Sequence, residues 1–75
     1  MTMAQMRENS RARVVRVGIT QKKLKKRLLD MGLVPGTELT LCGRAPMGDP
    51  LEIELRGYKL TIRVAEAEHI QVRYI

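Results

Sequence analysis

The chain has 75 residues, a formal net charge of +6 at pH 7 and a hydrophobic content of 44%. A chain of this length forms one domain with a small core, which leaves little room for a deep substrate pocket and favours a binding surface over an active site. The single cysteine excludes an internal disulfide, and the absence of Phe and Trp requires a core of aliphatic side chains and methionine.

The first predicted boundary lies after residue 12. Residues 1–12 contain three methionines and scattered arginines without a sustained hydrophobic period, which predicts a flexible N-terminal arm. Residues 13–17 include the β-branched run VVRV and are followed by Gly18, which predicts a first strand. Residues 13–75 are therefore expected to form the single folded domain.

An amphipathic helix is predicted after the first strand. Thr20 is a suitable N-cap, and Leu24, Leu28 and Met31 recur at a helical spacing. Gly32 follows, where the end of a helix favours positive φ. The solvent side of this helix carries the most concentrated positive charge in the chain, namely Lys22, Lys23, Lys25, Lys26 and Arg27.

The remainder of the sequence predicts four more strands. They lie at residues 37–42, 51–56, 58–64 and 70–74. Pro35-Gly36 is a turn signal before the first of them, and residues 43–50 form a loop rich in Pro and Gly. Gly57 joins two cleanly alternating strands as a tight hairpin, and residues 65–69 have room for about one helical turn.

These elements predict a mainly β domain with one or two short helices. Strands this short expose their edges unless the sheet closes on itself, which favours a small SH3-like five-stranded barrel with a helix inserted after the first strand. An open α+β sandwich is the alternative.

No convergent set of metal ligands or catalytic groups is evident. The chain has one cysteine, Cys42, and one histidine, His69, and two ligands do not complete a metal site. Glu66 and Glu68 add an acidic cluster on one turn, for which a solvated turn is the simpler interpretation. A single histidine also lacks an identified nucleophile and orienting group. We therefore expect no metal, no cofactor and no enzyme activity.

The basic charge indicates an acidic partner, which could be a protein surface, a nucleic acid or anionic lipid. Clustered Lys and Arg neutralise phosphates, so a small basic nucleic-acid-binding module is the alternative function. Against it, the helix offers no aromatic side chain for base stacking, and only Gln21 suits base edges. On composition alone, solubility explains the charge equally well.

The expected location is the cytoplasm. The N-terminus shows no signal-peptide pattern, and a single cysteine fits a reducing compartment. The apolar runs are far shorter than the ~20 residues needed to cross a bilayer, so we expect a chain that does not span the membrane.

Three stretches resemble the ferrous iron transport protein A (FeoA) family. RLLDMGLVPGT at residues 27–37 is similar to the R-L-x-x-M-G-L-x-P-G-x core of that family. APMGDP at residues 45–50 and RGY at residues 56–58 are similar to its A-P-x-G-D-P and R-G-Y stretches, in the same order and spacing. The resemblance covers about residues 13–72. Its motifs mainly set the fold, as Gly32 does at the helix end, so they identify a family better than a binding site.

The resemblance implies an SH3-like barrel that acts as a cytosolic accessory or adaptor for a membrane ferrous iron transporter with its own GTP-binding domain. The chain itself would bind no nucleotide. The same domain also occurs in metal-dependent repressors, but 75 residues leave no room for their other domains, so the chain resembles the free-standing form. Residues 4–10 depart from the leucine-rich lead-in of the family, and the lysine density of the helix is higher than its general pattern.

The candidate partner-binding surface is a groove between the predicted helix and the loop at residues 43–50. It is predicted by analogy with SH3-like barrels, which bind between their long loops. The basic candidates are Lys22, Lys23, Lys26 and Arg44. The exposed apolar candidates are Leu29, which lies off the apolar stripe of the helix, and Met47 at the loop tip. Solubility or core packing explains each of these residues equally well.

Overall fold

Five antiparallel strands form one sheet in the computed structural model, which describes residues 1–75. In chain order the elements are a 3-10 helix (Met3–Gln5), β1 (Arg11–Val17), α1 (Lys22–Asp30), β2 (Glu38–Arg44), β3 (Leu51–Leu55), β4 (Tyr58–Ile62), α2 (Val64–Ala67) and β5 (Ile70–Tyr74). The strand order is β4-β3-β2-β1-β5. The predicted mainly β class, with a helix after the first strand, is confirmed. The sheet is not closed by hydrogen bonds, because β4 and β5 are its two edges.

One hydrophobic cluster of 17 buried residues forms the core. It takes side chains from every strand, from both α-helices and from the N-terminal segment, and all of them are Ala, Val, Ile, Leu or Met. A fully buried Val, Leu, Ile or Met side chain contributes roughly 1.5–3 kcal/mol to the free energy of unfolding, relative to the same side chain left exposed. The aliphatic core expected from the composition is therefore what holds the sheet and the helices together.

The N-terminal segment is part of this core. Met3 lies in the 3-10 helix and is 0% exposed, and Met6 is 2% exposed. The structure thus differs from the flexible arm expected over residues 1–12. The physical reason is that two methionines spaced by three residues turn to the same side and complete the cluster, an arrangement too short to produce a sequence period.

Hydrogen bonds join the same segment to β5. The N–H of Val72 donates to the carbonyl of Met1 at 2.9 Å. The N–H of Arg7 donates to the hydroxyl of Tyr74 at 2.8 Å, and the Arg7 guanidinium lies 5.0 Å from the centre of the Tyr74 ring. A cation over an aromatic face at this distance is attractive, so Tyr74 anchors the segment from two directions.

Helix α1 ends in a Schellman motif around Gly32, as its sequence predicts. The N–H of Leu33 donates to the carbonyl of Leu28 at 3.0 Å, and the N–H of Gly32 donates to the carbonyl of Leu29 at 3.0 Å. Gly32 has φ +103°, and a Cβ there would lie 3.1 Å from Cδ1 of Leu55. Both the backbone conformation and the close approach to β3 require glycine at this position.

The loop between β2 and β3 is tied to α2 through Asp49. Its Oδ1 accepts the N–H of Val64, the first residue of α2, at 3.1 Å, and its Oδ2 lies 3.4 Å from the guanidinium of Arg63. Asp49 therefore satisfies one of the backbone N–H groups left free at the start of α2, although it lies in a distant part of the chain. This contact accounts for the fold-setting role expected of the motif at residues 45–50.

Strands β3 and β4 form the predicted hairpin. Arg56 and Gly57 both have positive φ, at 50° and 82°, which is the two-residue turn that matches the twist of paired strands. The pairing runs without irregularity from Leu55 opposite Tyr58 to Leu51 opposite Ile62. This regular hairpin places β4 at one edge of the sheet.

Candidate partner-binding surface

Four lysines of α1 form an exposed basic surface, called here the lysine surface. It consists of Lys22, Lys23, Lys25 and Lys26. None of the four takes part in an ion pair. Lys25 is absent from the site residues predicted from the sequence, although its position three residues after Lys22 places it on the same face of the helix.

The start of α1 adds to the positive potential of this surface. Its N-cap is Gln21, and not the predicted Thr20, and no side chain caps the helix there. The first turn contains no acidic residue, so unpaired backbone N–H groups and lysines lie together at the positive end of the helix dipole. The missing N-cap side chain and the absence of acidic residues in the first turn make the helix less stable. Local features that reduce stability in this way are typical of functional surfaces.

Arg27 has a different role from the neighbouring lysines. Its guanidinium lies 3.4 Å from Oε2 of Glu66, whose side chain is 16% exposed. The pair links α1 to α2. The charge of Arg27 is thus partly neutralised within the chain, which leaves the lysines as the free cations of the helix.

The two apolar candidates differ in their exposure. Met47 is 92% exposed at the tip of the loop that precedes β3. Leu29 is only half-buried and packs against the core, in contrast to the exposed position expected from its place off the apolar stripe. Helical spacing alone does not show this, because Leu29 packs near the last turn of α1, where the chain folds back toward the sheet.

Arg44 is engaged within the chain. Its Nη2 donates to the carbonyl of Ala4 at 2.8 Å and to the carbonyl of Met6 at 3.1 Å. The side chain is half-buried and fixes the N-terminal segment against the end of β2. A role of Arg44 in partner binding stays a prediction, whereas its structural role is visible.

Helix α2 lies between α1 and the loop at residues 43–50. Glu66 of α2 pairs with α1, and Val64 of α2 bonds to Asp49 of the loop. The lysine surface and Met47 thus flank α2, and the two parts of the predicted surface are separated by it.

A shallow groove lies between the start of α1 and α2. Its apolar lining includes Ile19 and Leu24, and its polar lining includes Glu66 and His69. Its volume is about 280 Å³, which is enough for one or two side chains of a docked segment. The groove adjoins the lysine surface because Leu24 lies within the same helical turns as the lysines.

Cys42 and His69 do not form part of a larger donor set. Cys42 is half-buried in β2, and His69 is exposed between α2 and β5. No group of three or more His, Cys, Asp or Glu side chains is placed to hold a metal ion. Neither α-helix combines the length and apolar character that a membrane crossing requires.

Comparison with known proteins places this fold in a family. A family model described as the FeoA domain matches residues 1–74. A fusion protein of Porphyromonas gingivalis, named Fe(2+) transport protein A/Fe(2+) transporter FeoB fusion protein, is 31% identical over 75 residues. The whole of this chain is aligned, and it spans 9% of the length of that fusion protein.

Solved structures of similar proteins share the fold. The solution structure of the FeoA protein from Chlorobium tepidum is 37% identical with a TM-score of 0.93, and the match covers 100% of this chain and 70% of that one. The crystal structure of Stenotrophomonas maltophilia FeoA complexed with zinc, described as a prokaryotic SH3 domain protein, is 25% identical with a TM-score of 0.84. That match covers 97% of this chain and 89% of the other. The predicted SH3-like fold is therefore confirmed, and the chain belongs to the FeoA family.

Proposed function

We propose that this chain is a cytoplasmic adaptor of ferrous iron uptake, which binds the cytosolic side of a GTP-binding membrane iron transporter. It acts by binding and not by catalysis. The observation that carries the proposal is the Porphyromonas gingivalis relative, in which a segment similar to this whole chain is joined to an Fe(2+) transporter in one polypeptide. Covalent fusion keeps two domains in the same compartment and in equal number.

A domain of this kind that is not covalently joined to its transporter must replace that link with affinity. Linking two modules gives a high effective concentration, commonly of the order of mM for short flexible linkers. Without a linker, comparable occupancy requires a complementary surface. The lysine surface is the clearest candidate, because its charges are exposed and unpaired.

The proposed partner surface is acidic. Attraction between opposite charges accelerates the encounter of two proteins and orients them, more than it adds to their affinity. Its range is about 8 Å at physiological ionic strength. The groove beside α1, lined by Ile19 and Leu24, supplies the apolar contact that charge alone does not provide. Met47, which is 92% exposed, offers a second apolar contact on the other side of α2.

The test is capture of the tagged chain from detergent-solubilised membranes, with the bound proteins identified by mass spectrometry. The expected result is recovery of a large membrane transporter with a GTP-binding domain, and less recovery as salt rises. A triple variant, Lys22→Glu, Lys23→Glu and Lys26→Glu, is expected to lose most of this capture. Its thermal midpoint should be unchanged or slightly higher, because Glu in the first turn suits the helix dipole.

A matched control separates the lysine surface from net charge. Arg16, Arg56 and Arg73 are exposed and form no ion pairs. Reversing them to Glu lowers the net charge from +6 to zero, as does reversing the three lysines, since each reversal removes two charges. The control should retain capture. Equal loss in both variants would contradict a specific role of α1, and recovery of salt-released nucleic acid in place of a transporter would favour the nucleic-acid module.

A further inference from the structure

The two edges of the sheet differ in how they are covered. At the β5 edge, Thr2 forms a bridge with Gln71, and the Met1 carbonyl accepts the N–H of Val72. No segment of the chain pairs with the outer side of β4. One edge is therefore covered from within the chain, and the other is open.

The hairpin register shows which backbone groups the open edge presents. A two-residue turn makes Leu55 and Tyr58 a hydrogen-bonded pair. Along an antiparallel ladder, hydrogen-bonded pairs alternate with pairs whose N–H and C=O groups point away from the partner strand. The N–H and C=O groups of Lys59 and Thr61 therefore point away from β3. Neither residue forms a backbone hydrogen bond outside the strands.

The usual protections of a free edge are few in β4. The strand has no proline, and its pairing with β3 contains no bulge. Tyr58 is 42% exposed, and Leu60 is only partly buried. The edge is thus regular and partly apolar, with Lys59 as its one charged residue.

From this edge we infer that two copies of the chain pair antiparallel through β4, about a twofold axis at Leu60. In this register the outward backbone groups of Lys59 in each copy bond to those of Thr61 in the other. The contact is isologous, so it closes as a dimer and does not extend into a fibre. The two sheets become one continuous sheet of ten strands, given five in each copy. This inference is independent of the proposed function.

Charge selects this register over its neighbours. An axis at Lys59 would set two lysines directly opposite one another, and an axis at Thr61 would set Lys59 opposite Arg63. Like charges in directly opposite positions destabilise strand pairing. With the axis at Leu60, Lys59 lies opposite a neutral threonine.

Acidic residues of β3 lie next to Lys59 on the outer face of the hairpin. Lys59 lies directly across from Glu54, and its Nζ is 3.9 Å from Oε1 of Glu52. Within β3 and β4, the outer face of this hairpin therefore has more acidic residues than basic ones, although the chain as a whole has a net charge of +6. Two copies consequently meet at a part of the surface that is not basic.

On the opposite face, apolar side chains meet across the axis. Leu60 lies opposite Leu60 of the second copy, and Tyr58 lies opposite Ile62. The exposed parts of Leu60 and Tyr58 would then lie beside Leu60 and Ile62 of the other copy, respectively. An aromatic side chain opposite a β-branched one is a favourable cross-strand pair.

Sedimentation velocity from micromolar to millimolar concentration tests the inference. The expected result is a mass that rises from 8.6 kDa towards twice that value. Amide exchange of Lys59 and Thr61 should slow as the concentration rises, because these N–H groups bond only in the dimer. A monomer at every concentration would overturn the proposal.

Two variants and a control locate the contact. Thr61→Lys creates two like-charge pairs across the axis and should weaken dimerisation about tenfold. Thr61→Pro removes an outward N–H without touching the bonds to β3 and should abolish the dimer. Gln71→Lys, on β5, makes the same change of charge and should leave the dimer intact. A dimer insensitive to both Thr61 variants, or equally weakened by Gln71→Lys, would refute pairing through β4.

Discussion

Replacing Met3 by alanine tests whether the N-terminal segment is part of the folded core. The side chain of Met3 is 0% exposed within the cluster of buried residues. Truncation of a buried Met to Ala costs about 2–5 kcal/mol, because apolar contacts are lost and a cavity is left. A 75-residue domain has a total stability of about 4–11 kcal/mol, so the variant should lose a large fraction of it.

Urea denaturation followed by far-UV circular dichroism measures this loss as a lower midpoint at an unchanged slope. The thermal midpoint should fall by at least about 8 °C, since 1 kcal/mol corresponds to about 4–8 °C in a domain of this size. Met47→Ala is the matched control, because the same atoms are removed from a side chain that is 92% exposed. If both variants stay within about 0.5 kcal/mol of the parent protein, Met3 is not a core residue and residues 1–12 behave as an arm.

Three further substitutions test contacts that set the fold. Gly32→Val should cost at least about 1–2 kcal/mol, because valine must adopt φ +103° beside Leu55, and thermal denaturation of Gly32→Ala as a milder comparison should show a smaller loss. Arg44→Ala should cost about 1–3 kcal/mol, since two carbonyls lose a charged donor, and faster amide exchange at Met6 would show where the loss acts. Asp49→Ala should lower the free energy of unfolding, measured by urea titration, by about 0.5–2 kcal/mol, because the N–H of Val64 loses its acceptor. Asp49→Asn should retain most of this stability. Equal losses in the two variants would assign the effect to the ion pair with Arg63.

Much of the fold follows from local sequence signals. The alternation in β3 and β4, the turn at Gly57 and the helix end at Gly32 each rest on interactions within a few residues. The irregular strands are harder to predict. The β1–β5 pairing shifts between Val14 and Arg16, so the alternation of buried residues changes phase there, and Val17 is buried in place of Arg16.

Contacts between distant parts of the chain were not predictable from periodicity. The bonds from Arg44 to the carbonyls near the 3-10 helix join residues separated by 38 and 40 positions. For the same reason, the sequence placed Arg44 among the basic partner-binding candidates without showing that its side chain is half-buried and bonded to the N-terminal segment. The lysine surface was easier to predict, because a lysine opposite an apolar stripe almost always faces solvent.

The bond between Met1 and Val72 has a topological consequence. It places the start of the chain beside its last strand, and only two residues lie between Val72 and Ile75, which are therefore at most about 10 Å apart. A short Gly-rich linker would therefore join the two ends without disturbing the sheet. New ends opened at the exposed loop around Met47 would give a circular permutant with the same strand order. The order of the strands along the chain can thus change while the packing that stabilises them stays the same.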